Sequence, residues 1–385
     1  MRYVKPHYYD EFQCAADKCP DTCCAGWQIV IDDDTLEKYD KYVQKQADES
    51  FAKRLDASVD WEEGCFLQKG ARCAMLNNQN LCDLITAKGE GYLCDTCNRY
   101  PRHIEEFDGI REYSLSLSCP VAAEMMLKMR EQTRYLVEED EKPDPLEDEF
   151  EDFDFMLFTQ LEDARDVIFQ IVQDRSKSIE QRMAILMEMA RQMQACIDED
   201  RLFDMQDVVT DFTKHTERYA KVLNGMDRFR KIKDGFDIYI KLERLREEWS
   251  DVLNGTWCEL YRDGYEKYKT IYDEFGRFIL EKGWDAGNGD AREQQSWEIF
   301  LEQILTFFIY TYFCGAVYDD CIYSKIGMSV MSVCYICEFC MYTWFAQEKK
   351  LSLDDCIKVS YRYAREIEHS DLNLNDLEQW LMDRL

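Results

Sequence analysis

Residues 12–28 read FQCAADKCPDTCCAGWQ, with cysteines at 14, 19, 23 and 24, and LCDTCNRYPR follows at 93–102. Thiols crowded this tightly serve disulfides, a metal or cluster, or redox chemistry, and the choice among these decides how the first third of the chain is organised. Ten of the eighteen cysteines fall in the first 120 residues: Cys14, Cys19, Cys23, Cys24, Cys65, Cys73, Cys82, Cys94, Cys97 and Cys119. Pro20, Gly26, Gly64, Gly70, Gly89, Gly91 and Pro101 lie among them, where turns would present ligands. The opening MRYVKPHYYDEFQC has no apolar run of the kind a secretion signal needs. The expectation is therefore a cytoplasmic, reducing setting, in which stable disulfides are rare and metal or iron–sulfur ligation is the leading account of the crowding.

Working outward, the pattern predicts a mainly α protein. A small, cysteine-rich, loop-rich domain with short strands spans 1–137, an acidic linker 138–154, and a larger all-α domain 155–385. WQIVID at 27–32 and EYSLSLS at 112–118 alternate like strands. Pro120 directly after Cys119 predicts a helix start, where free amides would favour a thiolate or an anionic cluster. The run EEDEKPDPLEDEFEDFD at 138–154 reads as a solvated boundary. Beyond it, DFMLFTQLEDARDVIFQIVQ and IEQRMAILMEMARQMQACI space their apolar residues three and four apart, as helices do. Aromatic-rich helices are expected at 297–316 and 329–347. Ser352 and Asp355 have capping-box spacing before another helix, and DLNLNDLEQWLMDRL closes the helical series. The apolar stretch ILTFFIYTYFCGAV, 304–317, is shorter than the ~20 residues of a spanning helix and predicts a buried helix without membrane insertion.

Charge narrows the function. The formal net charge is −31, from 78 acidic and 47 basic side chains. This disfavours nucleic acid and anionic membranes and favours a lysine-rich partner. No Walker loop, GxGxxG, HExxH or GxSxG occurs. The CxxxCxxC signature of radical S-adenosylmethionine enzymes is also missing, since Cys19-x3-Cys23-Cys24 lacks its last interval.

Cys94-x2-Cys97 has the spacing that lets two thiolates hold one metal or cluster. A zinc knuckle, an iron–sulfur half-site and a redox dithiol all share it. The adjacent Cys23 and Cys24 can turn to one cluster or divide between two sites. Cys73 and Cys82 form a third, wider pair. His7 and His103 lie near the cysteines but read as ordinary side chains. CYICEFC at 334–340 reads as three small buried residues on a helix. Arg99, Tyr100 and Arg102 follow Cys97 closely enough to line a site, and Arg99 and Arg102 are the candidates for holding a cofactor carboxylate or offsetting an anionic cluster. No side chain is singled out as catalytic, and oligomeric state has no signature.

The stretches FQCAADKCPDTCCAGWQIVID (12–32), ARCAMLNNQNLCDL (71–84), GEGYLCDTCNRYPR (89–102) and LSLSCPVAAEMML (115–127) together resemble the flagellin lysine-N-methylase family; the helical remainder is similar only loosely, around DGYEKYK at 263–269. Cys14, Cys19, Cys23, Cys24, Cys73, Cys82, Cys94, Cys97 and Cys119 fit that pattern, and Cys65 is peripheral to it. The resemblance implies methyl transfer from S-adenosylmethionine to surface lysines of flagellin, with a 4Fe-4S cluster required. An iron–sulfur redox protein and a non-enzymatic metal-binding module are the alternatives.

Overall fold

The computed structural model describes residues 1–45, 48–146, 150, 153–282 and 296–385, and for 281–282 the backbone alone. The chain starts with strand β1 (Arg2–Pro6) and passes through the thiol loop to helices α1 (Asp33–Lys45) and α2 (Glu49–Asp56). A two-residue ladder follows, β2 (Val59–Asp60) with β3 (Cys65–Phe66), then the short helices α3 (Asp83–Lys88) and α4 (Asp95–Arg99). Strands β4 (Arg102–Phe107) and β5 (Ile110–Leu115), helix α5 (Pro120–Leu127) and strand β6 (Tyr135–Glu139) complete a mixed α/β region.

The main sheet has the order β4-β5-β1-β6. Asp108-Gly109, with Gly109 at φ +67°, supplies the two-residue turn that lets β4 and β5 pair antiparallel. β1 lies parallel to β5 and antiparallel to β6, with Tyr3 opposite Glu138. The acidic stretch therefore begins inside the sheet: Glu138 and Glu139 end β6, Asp140 accepts from the N-terminal amine, and Asp144 is paired with buried Arg111. Positions 147–149 and 151–152 of that stretch lie outside the described residues.

From residue 155 the fold is largely α-helical. It comprises α6 (Phe155–Val172), α7 (Ile179–Asp198), α8 (Met205–His215), α9 (Gly225–Tyr239), α10 (Glu247–Thr256), α11 (Tyr265–Lys282), α12 (Trp297–Tyr312), α13 (Ile322–Ala346), α14 (Leu353–Glu368) and α15 (Asp371–Met382). Side-chain caps fix many of the starts: Asp154, Ser178, Asn224, Ser296, Ser352 and Ser370 each accept an amide of the first turn. The Ser352–Asp355 capping box forms as expected. α10 continues into one π turn, Trp257–Tyr261, which carries the Tyr261 hydroxyl to Glu338 at 2.6 Å. Helix α12 with the turn after it (Trp297–Val317) and α13 are long and apolar enough to cross a membrane by length and composition; 83% and 67% of their apolar windows are buried in this fold. CYICEFC sits on α13, with Cys340 fully buried, as a core segment.

Among the described residues, two hydrophobic cores form. The larger one joins the helices to β4, β5, α5 and the aromatic residues Tyr8, Tyr9 and Phe12. The smaller one, around Ile29, Ile31, Tyr39, Phe66 and Met75, holds residues 24–97 together. The sheet thus packs with the helical body, and the stretch between Cys24 and Cys97 has a core of its own. The expected strand at 27–32 is reduced to one bridge, Val30 to Cys65. Ile29 and Ile31 do alternate inward, but their ladder partner β3 is only two residues long.

One buried ion pair ties the sheet to the helices. Arg165 on α6 grips Glu112 on β5 with both amino nitrogens, Nη1 at 2.6 Å from Oε2, with side chains 8% and 3% exposed. Removing one partner strands the other's charge. Arg165→Met is expected to destabilise the protein by ~3–5 kcal/mol in chemical denaturation, whereas replacing both residues with apolar ones recovers most of that loss.

Candidate functional site

The thiol loop has little regular structure, so its polar contacts place it. Asp21 pairs with two arginines of the helical body: Arg365 Nη1 at 2.8 Å and Arg246 Nη1 at 3.0 Å. Arg365 also donates through Nε to the Ser118 carbonyl (2.9 Å) and through Nη2 to the Asp21 carbonyl (3.1 Å). Arg246 reaches the carbonyls of Thr22 and Ala25. Burial works against a charge on Asp21, but the two guanidiniums prevail and hold its pKa below the usual carboxylate range. Gly26, at φ +87°, makes room for this contact, since a Cβ there would stand 2.7 Å from Arg246 Nε.

Behind the loop, the end of α14 builds a polar seam. Ser118 Oγ meets Ser116 Oγ, the Tyr100 hydroxyl at 3.0 Å and His369 Nε2 at 2.9 Å. Glu368 Oε2 accepts from Ser116 Oγ and the Ser118 amide, both at 2.9 Å. Burial raises Glu368 to about 7 against the opposing hydrogen bonds. Burial, helped by Arg365 and Arg246, pushes His369 down to about 3, so its ring is neutral. That ring lies 4.7 Å from the Trp27 indole, whose N–H donates to the Cys23 carbonyl at 2.7 Å.

All nine cysteines of the sequence pattern are free thiols. The loop brings Cys23 Sγ within 4.0 Å of Cys24 Sγ. Cys94 stands at the N-terminus of α4, its thiol 3.7 Å from the Val30 carbonyl, and Cys97 lies one turn on. The Cys73 amide bonds the Cys24 carbonyl at 2.9 Å. Cys119 caps α5, as the Pro120 signal predicts. Its thiol is nevertheless pushed up to about 11, because burial outweighs the amides of Ala122 and Val121 that face it. Burial likewise raises Cys73 to about 12.

In kind, the donor set suits a thiophilic metal or cluster, being soft thiols crowded in sequence. Among the described residues, however, no three His, Cys, Asp or Glu side chains are arranged to hold a metal ion. The other candidates have partners of their own. Arg99 is exposed and paired with Asp95 at 2.9 Å, and Arg102 stacks over Phe12. His7 contacts Arg134 and Glu131, and His103 pairs with Glu105. Cys65 is buried on β3, accepting from Gln28 Nε2.

With this geometry in view, the comparisons are informative. Residues 165–384 match the model of the family described as the FliB lysine N-methylase C-terminal domain. The chain belongs to this family. A stretch of 128 residues, 32% of the chain, is 28% identical to the flagellar biosynthetic protein FliU of Salmonella muenchen, covering 76% of that protein. The same length of alignment, also at 28% identity, links it to the lysine-N-methylases of Salmonella typhimurium and Salmonella choleraesuis, of whose length it spans 32%. No solved structure matches. The FliB-type helical domain thus begins on α6 and supplies Arg246, Arg365, Glu368 and His369 to the seam. Sequence reasoning missed these four. The one available cue, for three of them, was YRYAREIEH at 361–369, a charge-dense stretch on a helix whose neighbouring residues are core-forming.

Two outcomes follow. Arg365→Met leaves Asp21 without its most buried partner and is expected to cost ~3–5 kcal/mol in denaturant titrations, while Arg365→Lys recovers only part of it. Beside Arg246 and Arg362, burial raises Glu366 from its ordinary 4.5 to about 7. Because the folded state holds this proton more tightly, stability falls as pH rises from about 4.5 to 7. Glu366→Gln removes that loss, so its melting temperature should gain on the parent across this window, by up to ~3 kcal/mol in stability.

Proposed function

We propose that the chain is a protein-lysine N-methyltransferase that uses S-adenosylmethionine, acts on flagellin and depends on a 4Fe-4S cluster held by its N-terminal thiols. Membership of the FliB lysine N-methylase family across the helical domain carries the reading. The names of the relatives, a flagellar biosynthetic protein and two lysine-N-methylases, point the same way. The net charge of −31 suits a lysine-bearing protein substrate.

S-adenosylmethionine supplies an electrophilic methyl group on a sulfonium. The work left to the chain is to deliver a neutral lysine in line with it, although a free lysine holds its proton to about pH 10.4. Glu368 is the group we assign to take that proton. It is half-buried, hydrogen-bonded to Ser116 and Ser118, and titrates near neutrality, where a base works best. The lysine nitrogen then forms its bond to the methyl carbon as the carbon–sulfur bond breaks, leaving the neutral thioether. Trp27, Tyr100 and His369 give the seam an aromatic wall. Arg365 and Arg246 offset negative charge gathered on the adjacent thiols.

Anaerobically purified protein, incubated with flagellin and S-adenosylmethionine, should add methyl groups to flagellin lysines, read by peptide mass spectrometry. Glu368→Gln should lower turnover ~100-fold or more near pH 7 and flatten the acid limb of the pH–rate profile. Unmodified flagellin with cluster-replete enzyme would remove the methylase assignment.

A further inference from the structure

We infer that the outer edge of β6 is a docking edge, where an extended, lysine-bearing segment of a partner protein adds a fifth strand to the four-stranded sheet. The inference concerns capture of such a segment, and it holds with or without the methyl transfer proposed above.

The register of β1 with β6 shows which way the backbone of β6 points. The Met1 amine donates to the Asp140 carbonyl at 2.8 Å, and the Asp140 amide returns a bond to Met1 at 3.0 Å. At the other end the His7 amide donates to the Arg134 carbonyl at 2.9 Å. Bonded and non-bonded pairs alternate along an antiparallel ladder, so Tyr3–Glu138 and Lys5–Leu136 are the bonded pairs between those ends. Tyr135, Val137 and Glu139 therefore turn their N–H and C=O groups away from β1. β6 is the last strand of the sheet, and among the described residues no group meets these outward donors and acceptors. The opposite edge is treated differently: there the Tyr318 hydroxyl donates to the Glu106 carbonyl of β4. Nor does the chain fold back over β6. After Asp140 it crosses the end of the sheet, and Asp144 accepts the Gly109 amide of the β4–β5 turn at 2.9 Å.

The side chains along this edge favour one kind of occupant. Leu136 and Val137 are 44% and 57% exposed, and neighbours in a strand point to opposite faces. An added strand thus finds apolar surface on both of its sides. Around that surface Glu131, Glu138, Glu139, Asp140 and Glu141 outnumber Arg134 and Lys142. Glu138 is largely exposed, and its ion-pair partner Lys5 is shared with Asp10. A second copy of this chain would bring the same carboxylates and another net charge of −31, and like charges keep strand edges apart. A strand that alternates lysine with apolar residues meets opposite charge and apolar surface at once. In such an addition the main-chain bonds supply affinity and the side chains select. β5, which leads to Ser116 and Ser118, lies two strands from β6, ~10 Å away. The docked strand therefore leaves the seam free.

Hydrogen exchange on the full chain reads the edge directly. The probe is a capped heptapeptide alternating valine and lysine. It should slow exchange at the amides of Val137 and Glu139, and the protection should weaken as salt rises. Replacing its lysines with glutamate should abolish the effect. Val137→Pro removes an outward N–H while leaving the bonds to β1 in place, and should weaken binding ~5-fold or more. Absence of protection at β6 would overturn the proposal. Equal binding by the peptide N-methylated at every residue would overturn it too, since charge alone would then explain the attraction. Self-association through β6 in sedimentation, with no response to the peptide, would replace the partner with a second copy and overturn it as well. Exchange in the unaltered protein decides the matter if Val137→Pro fails to fold. Protection of the edge without flagellin methylation would sink only the methylase reading, and methylation without protection at β6 would sink only this one.

Discussion

The ion pair between Asp21 and Arg365 is the constraint on which the arrangement depends. The loop from Phe12 to Gln28 has one short turn of helix and no strand, so neither a ladder nor a helical hydrogen-bond network fixes it. Arg365, 1% exposed, supplies that fixity from within the helical body by binding a side chain, the Asp21 carbonyl and the Ser118 carbonyl at once. A planar guanidinium suits this task because its donors are held in a rigid fork. The cost of burying the two charges is offset by their being paired and hydrogen-bonded. Removing either would free the loop from α14 and, with it, the relation between the thiols and Glu368.

The same seam explains how two packing units meet. The large core runs from the helices through the sheet to Cys119, and the small core encloses Cys73 and Cys94. Cys23 and Cys24 stand at the joint. There the Cys24 carbonyl accepts the Cys73 amide, and the Cys23 carbonyl accepts the Trp27 indole N–H.

The helices were legible from sequence because their information is local: apolar spacing of three and four, and caps such as Ser178 and Ser352. The start of α5 after Cys119 was legible from the proline that follows it. Where the reading failed, the deciding partner was remote. WQIVID alternates correctly yet becomes a strand only as far as β3 can pair with it. The acidic run starts as β6 because β1, more than 130 residues earlier, offers an edge. Glu368 and Arg365 meet Ser118 across some 250 residues, a distance no local pattern spans.

The charge distribution sharpens the chemical problem. Arg165, Arg182, Arg228 and Arg365 are each matched to a carboxylate inside the protein, so those pairs are close to neutral and the excess of negative charge lies outside. Such a field draws a lysine side chain in over roughly a Debye length, ~10 Å at moderate salt. It also strengthens that lysine's hold on its proton, which opposes the transfer proposed here. Attraction and activation therefore need different surroundings. The seam provides them: Arg365 and Arg246 reverse the local sign, and burial lifts Glu368 to where it can accept a proton near neutral pH. On this reading, the acidic exterior governs encounter and is screened by salt, while the seam governs chemistry and, being buried, is screened far less.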